Sequence, residues 1–390
     1  MKKKDAEVVV VGAGVVGASV AYHLAARGCR KVMVFERTRD LGHGSTGRAT
    51  GGFRAQFATP VNVQLSLLSR EKLLRFPAEV GVEPGYEQRG YLFLARSGAE
   101  LEALRAAQAV QKACGLEEAR MVSPSDIRAL NPWVLQEGLV GGAFCPTDGF
   151  VRPTEIMRGY AEAAARLGVS FFLNVEVTGF RKDKSGQIAG VELSDGAVVN
   201  TNHVVNAAGP WAAEVARLAG VGLPVVPLCR QVALTQPFPH LPEEMPMTIF
   251  VEDGFHFRVR DGRVMLLWPD APCAADPFDT TFRDEWLSEV VRRARERVPV
   301  LREVEIDRPN CRAGLYEMSP DKHAILGPPP EVENFYLANG SSGHGVMHAP
   351  ALGQLLAEII LDGRATTLDV SALRPTRFAE GEPNVSSEFL

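Results

Sequence analysis

Hydrophobic and polar positions form two kinds of run along this chain. In "EVVVVGAGVVGASVAYHLAARGCRKVMVFER" an unbroken apolar stretch predicts a buried strand, a glycine-rich turn interrupts it, an apolar helix runs to about Arg27, and a second strand ends at Glu36. A helix is expected over 153–167, with Pro153 in its first turn, an alanine-rich body and Gly168 after its end. Strands follow in "VSFFLNVEVTGF", "IAGVEL" and "AVVNT", and again over 203–209. Residues 224–268 read as strands with turns at Asp253-Gly254 and Asp261-Gly262, and 283–297 reads as a helix. Near the C-terminus the small and polar "ANGSSGHGVMHAP" leads into the helical pattern "ALGQLLAEIIL", with the helix expected to start near Ala349. The closing "EGEPNVSSEFL" reads as a loose tail.

A chain of 390 residues predicts two or three domains. With 46% hydrophobic and 23% charged residues its composition is that of an ordinary globular protein, and a net charge of -5 leaves no basic footprint for nucleic acid. The basic run "VVRRARERV" alternates with apolar positions at helical spacing, as a solvated helix face does. Cys29, Cys114, Cys145, Cys229, Cys273 and Cys311 are scattered without a CxxC pair, which fits a reducing compartment. Asp5, Glu7 and the glycines that punctuate the first apolar run argue against a signal peptide, and no other run approaches the length of a membrane span. The expectation is a soluble, cytoplasmic protein.

The turn Gly12-Ala13-Gly14-Val15-Val16-Gly17 has the context that a dinucleotide fold requires: a strand before, a helix after, and an acidic residue, Glu36, roughly 20 residues on. Gly12 permits the tight turn, Gly14 lets the backbone approach a pyrophosphate, Gly17 lets helix and strand pack closely, and Glu36 accepts from ribose hydroxyls. The motif alone leaves NAD and FAD open. The polar, glycine-rich "RTRDLGHGSTGRATGGFRAQF" that follows is a segment fit to wrap a longer cofactor, and the strand ending in Ala207-Ala208-Gly209 lets a nucleotide lie against it. No second GxGxxG with strand and helix context follows, so reducing electrons are expected directly from a small substrate.

Together, "VVVVGAGVVGASVAYHLAARG", "GHGSTGRATGGFR", "TDGFVRPTEIMRGYAEAAARLGV", "VVNAAGPW" and "GSSGHGVMHAP" resemble the D-amino acid oxidase family of flavoenzymes, within it most closely the sarcosine oxidase, glycine oxidase and proline dehydrogenase beta-subunit branch. The resemblance covers nearly the whole chain. It implies an α/β fold of the glutathione-reductase-2-like FAD type: a Rossmann-like FAD domain (1–80, 146–222 and 320–375) interleaved with an α+β substrate domain of mixed and antiparallel sheet (81–145 and 223–319), then a tail from 376. It implies FAD held by the Gly12–Gly17 turn, Glu36, Arg37, Gly44, Ser45, Thr46, Arg48, Ala49, Val177, Ala207, Ala208, Gly209, Trp211 and Gly314. Gly343, His344, Gly345, Val346 and Met347 then fold over the flavin end, where backbone N–H groups favour negative charge on the reduced ring.

An amino acid substrate brings a carboxylate whose desolvation is costly unless a cation meets it, and an arginine fork suits that task. By resemblance Arg54, in "GGFRAQF", and Arg312, in "NCRAGLYEMSPD", are the carboxylate residues, with Tyr316, His256, His344 and His348 as further candidates. No metal is expected. The branch's carboxylate lysine is replaced by Met347, and its flavin-tethering cysteine and histidine fall at Gly314 and Arg48, so FAD is expected to be non-covalent, with Cys311 and His43 the nearby residues to watch. The lysine associated with oxygen activation appears as His256 or Arg258. The implied activity is oxidation of the C–N bond of a small secondary or N-methyl amino acid, with O2 as acceptor. The alternatives are a D-amino acid or proline dehydrogenase that feeds another acceptor, with partner subunits, and a flavin-binding assembly factor without turnover.

Overall fold

A computed structural model describes residues 4–269 and 276–385. Its first sheet, of eight strands, is built on Lys4–Val11, which lies between the parallel strands Val32–Glu36 and Val198–Asn206; Ser170–Leu173 extends the sheet beyond Val32–Glu36. Alternate residues of Lys4–Val11 serve opposite faces. Val8 and Val10 pack with the helices Val15–Ala26, Pro153–Arg166 and Gly345–Asp362, whereas Val9 and Val11 pack with Val177, Val191 and the helix Ala212–Leu218. Burial on both sides is why this strand is apolar without alternation.

Val198–Asn206 is one strand where the sequence pattern suggested two. Its polar middle stays in the ladder because Thr201 Oγ1 donates within it, to the carbonyls of Glu7 and His203. Its first half pairs antiparallel with Ile188–Leu193 and its second half parallel with Phe335–Asn339. The second eight-stranded sheet runs Arg312–Met318, Val226–Pro237, Arg263–Leu267, His256–Arg260, Met247–Phe250, Tyr91–Ala95, Gly141–Cys145, Arg120–Val122. The expected turns fall between its strands, with Gly254, Asp261 and Gly262 all at positive φ (73°, 51° and 70°). The expected helix over 283–297 is Asp284–Arg297.

The C-terminal helix corrects the sequence reading: it begins at Gly345 and continues through Pro350. A proline inside a helix costs about 3 kcal/mol. Here Met347, Ala349, Ala351, Leu352, Leu355 and Leu356 are all buried in the core shared with the first helix, and that burial outweighs the cost. The five described cysteines are free thiols; Cys273 lies outside the described residues, as does the end of the tail. Among the described residues no helix is long and apolar enough to cross a membrane and no group of side chains is arranged to hold a metal.

Candidate active site

A cavity of about 890 Å³ runs from the glycine turn of the first sheet to the face of the second. At one end Gly12 has φ +101°, and a Cβ there would stand 2.5 Å from the Ala207 carbonyl oxygen. Only glycine fits. Glu36 is fixed at the cavity edge: Oε2 accepts from the Ala13 N–H (3.0 Å), and Oε1 accepts from the N–H and hydroxyl of Thr38 (3.0 and 2.8 Å). Thr46 Oγ1 accepts from the Val15 N–H at the start of the first helix (3.1 Å). The Arg37 guanidinium lies 3.9 Å over the Trp211 ring, which stacks in turn on Phe278.

Further along, Ser45 Oγ donates to the Leu315 carbonyl (2.7 Å) and Arg48 to that of Ala313 (2.7 Å), so the polar segment is stitched to the edge strand of the second sheet. Gly343 packs closely against Tyr316: a Cβ there would be 2.4 Å from the ring. This brings Tyr316 and the loop before the C-terminal helix to one wall.

Arg54 faces the cavity from the irregular stretch that follows the short strand Gly52–Phe53. Its Nη1 donates to the Gln56 carbonyl (2.6 Å), its guanidinium carbon lies 4.1 Å over the Phe57 ring, and His344 Nε2 is 3.5 Å from its Nη2. It makes no ion pair with any described residue; burial lowers its pKa, while Tyr91, Asp148 and Tyr316 act in the opposite sense. Asp148 is fully buried behind it, accepts from the Ala55 N–H (2.7 Å) and Gln56 Nε2 (3.0 Å), and is pushed up to about 6 by burial. His256 also lines the cavity, with Nδ1 2.8 Å from the Gly254 carbonyl, and burial pulls its pKa down to about 4. His344 is held well below its ordinary value, first by burial and then by Arg54. Both imidazoles are therefore neutral at neutral pH.

Of the residues named from sequence, all but Ala13, Gly17, Arg258, Cys311, Arg312 and His348 line this one cavity. Ala13 contributes its N–H to Glu36, and Gly17 packs under Gly12, whose carbonyl oxygen would be 2.0 Å from a Cβ at 17. Arg312 is a correction. It shares a strand face with Gly314 and Tyr316, but four residues of strand place it about 13 Å from Tyr316, where its Nε donates to the Arg48 carbonyl (3.3 Å). His348 is the second correction: one turn into the C-terminal helix, it is buried against Pro60–Val80 with Nε2 2.9 Å from Ser66 Oγ, a satisfied core histidine drawn down to about 3 by burial. Cys311 points to backbone carbonyls in the second core and does not line the cavity, whereas His43 does.

The sequence reading missed Tyr91, Arg230, Met247, Ile249, Trp268 and Glu317, which complete the wall. Each is an ordinary residue of a strand or strand end, with no local motif to mark it; only sheet register brings them together.

Fold and cavity together define an enzyme that holds a dinucleotide between two mixed sheets, against the parallel strands of the first. A family model described as FAD dependent oxidoreductase (DAO) matches residues 7–359, and the chain belongs to that family: it is an FAD-dependent oxidoreductase. Among curated proteins it is 30% identical to dimethylglycine dehydrogenase of Rattus norvegicus, over 97% of this chain but 45% of that protein, and 30% identical to sarcosine dehydrogenase of Homo sapiens, over 92% and 40%. The FAD-dependent oxidoreductase domain-containing protein 1 of Xenopus laevis is 30% identical over 97% of this chain and 83% of that one. Among solved structures, L-proline dehydrogenase from P. horikoshii aligns with a TM-score of 0.90 at 30% identity, covering 98% of this chain and 100% of that chain. Glycine oxidase from Geobacillus kaustophilus aligns at 0.83 and 25%, covering 96% and 99%.

Proposed function

We propose that this oxidoreductase oxidises the C–N bond of a small secondary or N-substituted amino acid, such as sarcosine or proline, to an imine. The observation that carries the reading is Arg54: a planar cation, partly desolvated and without a carboxylate partner among the described residues, on a wall otherwise formed by Tyr91, Phe93, Met247 and Ile249. Such a group is complementary to a carboxylate and an apolar substituent side by side. In this reading the Gly12–Gly17 turn, Glu36, the 44–49 segment, Val177 and Trp211 hold the nucleotide part of FAD, and Gly343–Met347 with Gly314 hold the flavin. Cys311 is turned away from the cavity and Gly314 offers no thiol, which supports non-covalent attachment; yellow colour leaving with the supernatant after acid precipitation is the expected result.

The cofactor, when bound, supplies the hydride acceptor. The protein's own part is placement: Arg54 fixes the carboxylate, Asp148 and Gln56 fix Arg54, and the apolar wall excludes water from the carbon beside nitrogen. His256 and His344, neutral at working pH, add no positive charge that would disfavour a cationic iminium product.

For the acceptor, the relatives named dehydrogenases at 30% identity favour one other than O2, and the glycine oxidase likeness supports O2 as the second reading. One anaerobic experiment separates them. The holoenzyme is mixed with sarcosine, proline, glycine and D-alanine in turn, the flavin band is followed, and air is then admitted. Bleaching that persists in air is expected; rapid recovery establishes an oxidase, and no bleaching by any of these overturns the substrate reading.

A further inference from the structure

Glu317 follows Tyr316 on the edge strand of the second sheet and lines the cavity. Its Oε1 accepts from the Ser341 N–H (3.2 Å), and its backbone carbonyl accepts from the Ser342 N–H (3.0 Å), which ties it to the loop before the C-terminal helix. A Cβ at Gly345, the first residue of that helix, would lie 3.9 Å from Oε1. Yet Oε2 is enclosed without a hydrogen-bond partner, as are both amide atoms of Asn339, which is fully buried at the end of the strand Phe335–Asn339, two residues before Ser341. An enclosed carboxylate oxygen without a partner is costly unless a ligand or a proton completes it.

We propose that Glu317, held by the Ser341 N–H, is the proton-holding group for the flavin: its carboxylate takes up one proton from solvent when the bound FAD is reduced and returns it on reoxidation. The step forms one O–H bond and moves no electrons; the electrons enter the flavin from the reductant. The charged and titratable groups around this wall are Tyr316 just before it, Lys322 and His323 downstream on its own segment, Arg230 on the adjoining strand, Arg48 on the short helix Ser45–Arg48 and His344 at the loop's end. The Glu317 Oε2 has no hydrogen-bond partner among the described residues, and burial pushes the carboxyl pKa up to about 7. Negative charge added to the same cavity on reduction raises its proton affinity further. Above neutral pH, reduction then draws one extra proton, which is a tenfold change in the equilibrium per pH unit, or about 30 mV for a two-electron couple.

The test uses the holoenzyme reduced by dithionite against reference dyes from pH 6 to 9. No amino acid substrate takes part, so a failure of the substrate reading leaves it intact. The midpoint potential of the wild type is expected to fall about 30 mV per pH unit more steeply than that of Glu317→Gln above neutral pH, and to run parallel to it below. Equal slopes throughout overturn the proposal. Should the variant not retain FAD, the wild type decides alone: protons taken up per flavin, read with an indicator dye in weak buffer after subtracting the protons that the same amount of dithionite releases on reducing free FAD, rise relative to free FAD between pH 6 and pH 8 if Glu317 acts, and a flat or falling difference overturns it.

Discussion

The two ends of the cavity are built on different principles. The nucleotide end is a backbone device: one strand, one turn and one helix contiguous in sequence, with Glu36 and Thr46 already engaged by N–H groups. The opposite end is a side-chain device, assembled from Arg54, Tyr91, Arg230, His256, Tyr316 and His344 on separate elements of two sheets. Its ionisable groups are displaced by burial, Arg54 and His256 downward, Tyr91 and Glu317 upward. Perturbed groups in a cleft are the expected mark of a reaction site. The first end is fixed by local geometry, and the second stores the cost of desolvation.

Four predictions break or sharpen that comparison. The largest effect is expected from Gly12→Val, which drives a Cβ against the Ala207 carbonyl: FAD affinity should fall at least about 100-fold, roughly 2.7 kcal/mol, read as flavin absorbance per protein after gel filtration. Next, Arg54→Ala should lower kcat/KM by about 30-fold to several thousand-fold, the equivalent of about 2 to 5 kcal/mol, with flavin content unchanged. Arg312→Ala, which the resemblance alone would rank beside it, should stay within about threefold; equal losses in the two would place the carboxylate between them and not at Arg54.

The third concerns pH. His256 is held at about 4 in the folded protein against an ordinary 6.5, so the unfolded chain binds the proton first. Its contribution to stability is complete above pH 6.5 and is lost as pH falls from there toward 4, at about 1.4 kcal/mol per pH unit. His256→Gln should make the acid limb of stability, measured by denaturant unfolding between pH 7 and 5, shallower by about 2 kcal/mol in all. Smallest is Thr46→Ala, which leaves the Val15 N–H without its acceptor: about 1 kcal/mol in FAD affinity, or roughly fivefold.

Legibility along the chain follows the same division. Gly12, Gly14 and Glu36 were readable because spacing along a strand–turn–helix is itself the geometry of the site. The Asp261-Gly262 turn was readable for the same reason: a two-residue hairpin states its backbone angles in its residue types. Arg312 and His348 were read as site residues from their place in a motif, and both belong elsewhere. Arg312 is carried past the cavity by strand rise, and His348 is rotated into the core by helical phase. The start of the C-terminal helix was misplaced because Pro350 is a local stop signal, while the burial that overrides it comes from the first helix, more than three hundred residues earlier.

By itself, then, the sequence determined the nucleotide fold, its cofactor class and the order of the elements, since these rest on backbone conformations that short stretches encode. Only the tertiary structure decided which polar side chains share the reacting end and which are left without partners there, as with Arg54, Tyr91 and Glu317. Burial, and with it the displaced proton affinities, is a property of the surroundings that two packed sheets create, and no single segment contains it.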